Sequence, residues 1–176
     1  MATLWLIPGL YDSGPEHWQR HWQRSHGARV IEQRDWQTPL RDEWVATVER
    51  ALDGSDDPIA LAGHSTGCAT IAFWAAATRH AARVRLAMLV GPSDTEAPSY
   101  PAGPVGFAPM PLARLPFPSI VVASDDDPYV TILRARAFAT AWGSELHVLS
   151  RGGHINAASG HGPWPDGYAL VERGLL

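Results

Sequence analysis

The sequence predicts an α/β fold of three layers, α/β/α, with about six mostly parallel strands, and three observations predict it. Short apolar runs alternate with helical stretches along the chain, as βα units covered on both faces of a sheet require. A length of 176 residues with 45% hydrophobic side chains suits one domain, 1–176, able to bury a real core. Finally, Gly63-His64-Ser65-Thr66-Gly67 stands between an apolar, β-branched run and an alanine-rich stretch, a strand, a sharp turn and a helix.

Strands are expected at 4–7, 28–32, 59–63, 84–90, 120–124 and 146–149, and helices at 15–25, 40–52, 66–80, 131–142 and 168–176. Pro15 suits the first turn of its helix, and Gly143 follows the fourth as a carboxyl cap. The stretch 94–118 is proline-rich and aperiodic, which reads as a long ordered loop over one edge of the sheet, either a lid or a plain crossover.

Composition excludes several classes. The net charge of −4, from 14 basic and 18 acidic side chains spread along the chain, provides no basic stripe for nucleic acid. The one cysteine, Cys68, cannot form an intramolecular disulfide and reads as a small buried side chain. The first residues lack a signal-peptide pattern, and no run approaches the ~20 apolar residues of a membrane span, so a cytoplasmic location without membrane contact is expected. No G-x-G-x-x-G or G-x-x-x-x-G-K is present to cradle a nucleotide.

The pentapeptide carries the chemistry. Glycines two residues to either side let the chain turn sharply enough to leave a serine hydroxyl exposed at a strand's carboxyl end, which makes Ser65 the candidate nucleophile. A serine so placed needs a base and an acid to orient it. Ser124-Asp125-Asp126-Asp127-Pro128 follows the fifth strand and Gly152-Gly153-His154 follows the sixth, both at carboxyl ends. Asp127 is favoured as the acid, with Asp126 its rival on spacing; His154 is favoured as the base over His147 and His161. Oxyanion donors are expected from the backbone amides of Leu10, after Ile7-Pro8-Gly9, and of Thr66. Each piece taken singly also fits an ordinary turn; their joint position after successive strands favours chemistry.

With these residues in place, the chain resembles the small serine hydrolase family typified by retinoblastoma-binding protein nine, within the α/β-hydrolase superfamily. The likeness rests on Ile7-Pro8-Gly9, the elbow 63–67, the 124–128 loop, Gly153-His154 and the run Ser13-Gly14-Pro15-Glu16-His17-Trp18, and spans nearly the whole chain. It implies a compact α/β-hydrolase core with no large cap domain and strand order 2-1-3-4-5-6. It also implies that the acid is the aspartate just before proline, Asp127, with Ser65 as nucleophile and His154 as base. The chain departs from the mammalian pattern in having Leu10-Tyr11-Asp12-Ser13 where that protein has a run of glycines.

The expected activity is hydrolysis of small acyl esters through an acyl-enzyme, with peptides and thioesters open to the same triad. The rival reading is a catalytically weak member that binds a protein partner through the proline-rich loop or the tryptophan-rich helix. No cofactor is expected. His17 and His21 are four apart, but the glutamate and third ligand of a zinc hydrolase are missing, so no metal is expected either. Among the 8 tryptophans, Trp18, Trp22 and Trp44 read as helix packing. Trp164 and His64 are candidate walls of the pocket.

Overall fold

The computed structural model describes residues 1–176. In chain order it runs β1 (Thr3–Ile7), α1 (Trp18–His26), β2 (Arg29–Val30), α2 (Arg41–Leu52), β3 (Ile59–His64), α3 (Thr66–Ala75), β4 (Val84–Val90), β5 (Ser119–Ser124), α4 (Ile132–Trp142), β6 (Glu145–Leu149) and α5 (Pro165–Glu172). The six strands form one parallel sheet in the order β2-β1-β3-β4-β5-β6, the order that the resemblance implies. Parallel pairing brings the carboxyl ends level: Ile7 pairs with Gly63, His64 with Val90, and Ser124 with Leu149.

Alternate residues of each strand serve opposite layers. Ile7, Leu61, Leu89 and Val121 pack with Trp44, Ile71 and Phe138, so α2, α3 and α4 cover one face. Leu6, Ala62, Met88 and Val122 pack with Trp18, Trp22 and Val171, so α1 and α5 cover the other. All six residues of β3 and of β5 are buried, as a sheet covered on both sides demands. No helix is long and apolar enough to cross a membrane.

Element boundaries moved where side chains compete with the backbone. β2, an edge strand, pairs with β1 over two residues only, Arg29 with Trp5 and Val30 with Leu6, short of the expected 28–32. α3 ends at Ala75 rather than His80: the Glu49 carboxylate takes the Trp74 indole N–H and the Thr78 hydroxyl, at 2.6 and 2.7 Å, and closes the chain there. α5 starts at Pro165, its proline in the first turn, and ends at Glu172. Thr131 caps α4 by accepting from the Arg134 N–H, and Gly143 ends it at φ 70°.

The proline-rich stretch does not lie over a sheet edge, since it links the neighbouring strands β4 and β5. It crosses the helices instead: Phe107 meets Trp44 and Phe73 edge-on, and the Trp142 indole donates to the Pro111 carbonyl at 2.7 Å.

Candidate active site

Five loops leave the carboxyl ends of β1, β3, β4, β5 and β6 on the same edge of the sheet, where ligands of such sheets bind. They enclose a cavity of about 380 Å³ lined by Leu10, Tyr11, Ser65, Ser93, Tyr129 and His154, among others.

Ser65 sits at φ 57°, ψ −123°, a backbone region that costs a residue with a Cβ on the order of 1–3 kcal/mol. The surroundings force it. The Ser65 amide donates to the Val90 carbonyl at 3.0 Å, and the β1 loop presses on the turn from the other side. A Cβ on Gly9 would lie 2.8 Å from Ser65 Cβ; one on Gly63 would lie 2.7 Å from Ile71 Cδ1; one on Gly67 would be driven into the Ile7 carbonyl. The three glycines are therefore a matter of contact distance. The Leu10 and Thr66 amides, both at the cavity wall, find no backbone acceptor within the chain.

The three aspartates divide their work. Asp125 accepts the Arg151 amide at 2.7 Å and Asp126 accepts the Gly153 amide at 2.8 Å, so both hold the backbone of the turn after β6. Asp127 alone reaches the imidazole: its oxygens lie 3.0 and 2.9 Å from His154 Nδ1, and its side chain is 0% exposed. A carboxylate only accepts, so Nδ1 carries the proton. Nε2 is left without a protein partner in the cavity that His154 lines. The Asp127 carboxylate is itself fixed by the Tyr129 amide at 2.8 Å.

The turn carrying His154 is strained and tightly held. Ile155 adopts φ 49°, unfavourable for a β-branched residue, while its carbonyl accepts the Trp18 indole N–H at 2.9 Å. The His154 carbonyl accepts from His64 Nε2 at 2.8 Å. His64 and Tyr129 flank the imidazole with ring centroids 4.7 and 4.6 Å away. Burial, then the neighbouring His17 and His154, push the His64 pKa well below the usual imidazole value. Burial, then His154 and Arg20, lower that of His17 to about 3. Both rings are thus neutral near pH 7.

Of the residues expected at the site, Ser65, His154, Leu10, Thr66 and His64 line one cavity, with Asp127 directly behind His154. Trp164 does not line it. Its ring packs against Trp18 and Trp22 at 5.5 and 5.9 Å in the core beneath α1, because the left-handed Trp164 turns inward ahead of α5.

Ser93, Tyr100, Tyr129 and Asn156 were missed. The Ser65 hydroxyl makes its hydrogen bond with Ser93 Oγ at 2.8 Å, and the Thr66 hydroxyl makes one with the Tyr100 phenol at 3.0 Å. Ser93, Tyr129 and Asn156 each follow a strand's carboxyl end, a signal that could have found them; Tyr100 arrives from the middle of the proline-rich stretch and had none.

One group of side chains has the spacing of metal ligands, Glu49, Asp53 and His80. It lies at the opposite edge of the sheet, where Arg79 and His80 share Asp53 Oδ1 and Trp74 and Thr78 share Glu49 Oε2.

A family model described as serine hydrolase matches residues 4–173. The chain is similar to a solved structure described as a YdeN-like hydrolase from Pectobacterium atrosepticum, at 34% identity and a TM-score of 0.86 over 99% of this chain and 91% of that one. It is also similar to the ydeN gene product of Bacillus subtilis, at 19% identity and a TM-score of 0.79 over 99% of both chains. The carboxylesterase CesB from Bacillus subtilis is 13% identical with a TM-score of 0.63 over 99% of this chain and 82% of that one. These last two likenesses concern the fold alone. A comparison with curated proteins gives no match.

Proposed function

The chain belongs to the serine hydrolase family of the α/β-hydrolase superfamily, and from that premise we propose that it hydrolyses small acyl esters through Ser65, His154 and Asp127. The observation that carries this reading is the buried Asp127–His154 pair, whose imidazole shares one cavity with the strained Ser65.

His154 Nε2 takes the Ser65 proton as Oγ attacks the acyl carbonyl, and Asp127 holds the imidazole in the required tautomer and stabilises its cation. In the free site Ser65 Oγ is hydrogen-bonded to Ser93 Oγ, and its bond to Nε2 forms as substrate binds, as commonly happens with catalytic hydrogen bonds that tighten only in the complex. The free Leu10 and Thr66 amides receive the oxyanion. His154 then protonates the departing alkoxide and activates the water that frees Ser65. A cavity of about 380 Å³ is near the lower end of the range for ligand sites, which supports a small acyl group. Esters fit a cavity lined by serine, threonine and the neutral rings of His17 and His64, whose one carboxylate, Asp12, is paired with Arg20; the same groups serve thioesters and short peptides.

The test is turnover of p-nitrophenyl esters of increasing acyl length, together with labelling by a fluorophosphonate probe. Wild-type protein should hydrolyse the short esters and be labelled at Ser65. Full esterase activity in Ser65→Ala would end the reading.

A further inference from the structure

We infer that Ser93 is a fourth working side chain of the site: it donates its hydroxyl hydrogen to Ser65 Oγ while that atom makes, and later breaks, its bond to the acyl carbon. The inference rests on the hydrolase reading above.

Ser93 Oγ lies 2.8 Å from Ser65 Oγ, and the residue is 4% exposed. The chain reaches that position by a route with no slack. After β4 it turns at Gly91, φ 53°, where a Cβ would lie 3.2 Å from Asp127 Oδ2 and 3.3 Å from His154 Nδ1, so residues 91–93 pass directly beside the acid–base pair. The next amide, Asp94, donates to the Tyr129 carbonyl at 3.1 Å, and the Asp94 carboxylate lies 3.3 Å from Arg134 Nε. The Ser93 hydroxyl is therefore held against the nucleophile by contacts on both sides of it in sequence.

The direction of the hydrogen bond follows from the chemistry. In acylation the Oγ–C bond forms while the Oγ–H bond breaks; the proton goes to His154 Nε2 and the carbonyl π pair to the oxyanion. Once that proton is committed to the imidazole, Ser93 stays bonded to Oγ only as a donor. In deacylation the oxygen of water bonds the acyl carbon, its proton passes to Nε2, and collapse of the adduct expels Oγ, which regains a proton from the imidazolium. Oγ bears partial negative charge in both transition states. A fixed hydroxyl donor binds it more strongly there than in the neutral resting serine, which is the condition for catalysis.

Ser93→Ala removes the donor and little else. Its fluorophosphonate labelling rate and its kcat on p-nitrophenyl acetate should each fall about tenfold, the worth of one neutral hydrogen bond, with KM within about twofold of wild type. Ser93→Cys, whose S–H is a weak donor, should follow the alanine variant and decides the matter if that variant does not fold. Labelling and kcat within about twofold of wild type in the folded variant would overturn the inference. Faster labelling would overturn it too, because Ser93 would then merely sequester the nucleophile. Wild-type protein that is not labelled at Ser65 would overturn the hydrolase reading and this inference together.

Discussion

His64 Nε2 lies 2.8 Å from the carbonyl oxygen of His154, so the residue just before Ser65, the proposed nucleophile, is bonded to the backbone of the residue bearing the imidazole. The end of β3 and the turn after β6, 90 residues apart in sequence, are thereby set to one another inside the fold. The bond is buried, so removing the donor leaves a carbonyl that water cannot easily satisfy. His64→Ala should lower kcat by about 10- to 100-fold, the cost of letting a catalytic group drift by a fraction of an ångström to an ångström, with KM nearly unchanged. His64→Gln, which keeps an amide donor, should retain more. Steady-state kinetics on p-nitrophenyl acetate check this; wild-type turnover in the alanine variant would refute it.

Asp126 and Asp127 are adjacent, yet their oxygens meet different atoms. Asp127 bonds the imidazole, while Asp126 accepts the Gly153 amide and the Ser124 hydroxyl. Asp127→Asn should therefore reduce kcat by about 10³- to 10⁴-fold, because the neutral amide favours the wrong imidazole tautomer and cannot stabilise the cation. Asp126→Asn should cost no more than about tenfold in kcat and show itself in a lower melting temperature. Equal losses of activity in the two variants would contradict this division.

The alternation of strands and helices and the elbow could be read from the sequence because each rests on a local signal, strand length or a glycine pair, and an acidic and a glycine-rich turn after successive strands supply the triad candidates. The strand order rests on the family resemblance alone, since pairing between strands leaves no local mark. The choice of Asp127 over Asp126 was beyond spacing, since both follow β5 and only the direction of the side chain separates them. Ser93 was beyond it for a different reason. Gly91-Pro92-Ser93 looks like any turn, and its meaning comes from passing beside Asp127 and His154, which arrive from two other strands. Trp164 misled because proximity in sequence to His154 suggested the cavity, whereas the turn before α5 directs the ring into the core beside Trp22. The helical pattern of α3 runs five residues past its observed end because the side chain that ends it, Glu49, belongs to another helix.

Gly67→Ala tests whether the elbow is fixed by contact. The added Cβ would be forced against the Ile7 and Pro8 carbonyls, which are backbone atoms of β1 and its loop and cannot rotate away. The variant should lose more than about 3 kcal/mol of stability or fail to accumulate, an overpacking cost at the upper end of the usual range. Gly14, where an added Cβ meets nothing within 4 Å, should accept alanine within about 0.5 kcal/mol. Denaturant titration of the two variants makes the comparison, and similar midpoints would show that the elbow relaxes more readily than these distances indicate.

The neutral imidazoles make stability depend on pH in a window set by their own shifts. Burial, followed by nearby charges, lowers the pKa of His17 to about 3 and that of His64 well below its usual value; burial also lowers that of His161. In the unfolded chain all three titrate near 6.5. Above pH 6.5 both states are neutral and the native state keeps its full advantage. As pH falls below 6.5 the unfolded chain takes up protons that the folded chain refuses, so stability drops, by at most about 1.4 kcal/mol per pH unit for each such histidine. For His17 the loss continues down to about pH 3. Between pH 6.5 and 5 the carboxylates contribute little, so the histidines dominate the slope there. Melting temperature should fall through that interval in wild-type protein, and His17→Gln, which has no proton to take up, should flatten the fall. A wild-type melting temperature that stays constant from pH 6.5 to 5 would mean that these rings accept protons in the folded state, and the cavity would then hold positive charge beside His154 rather than neutral imidazole.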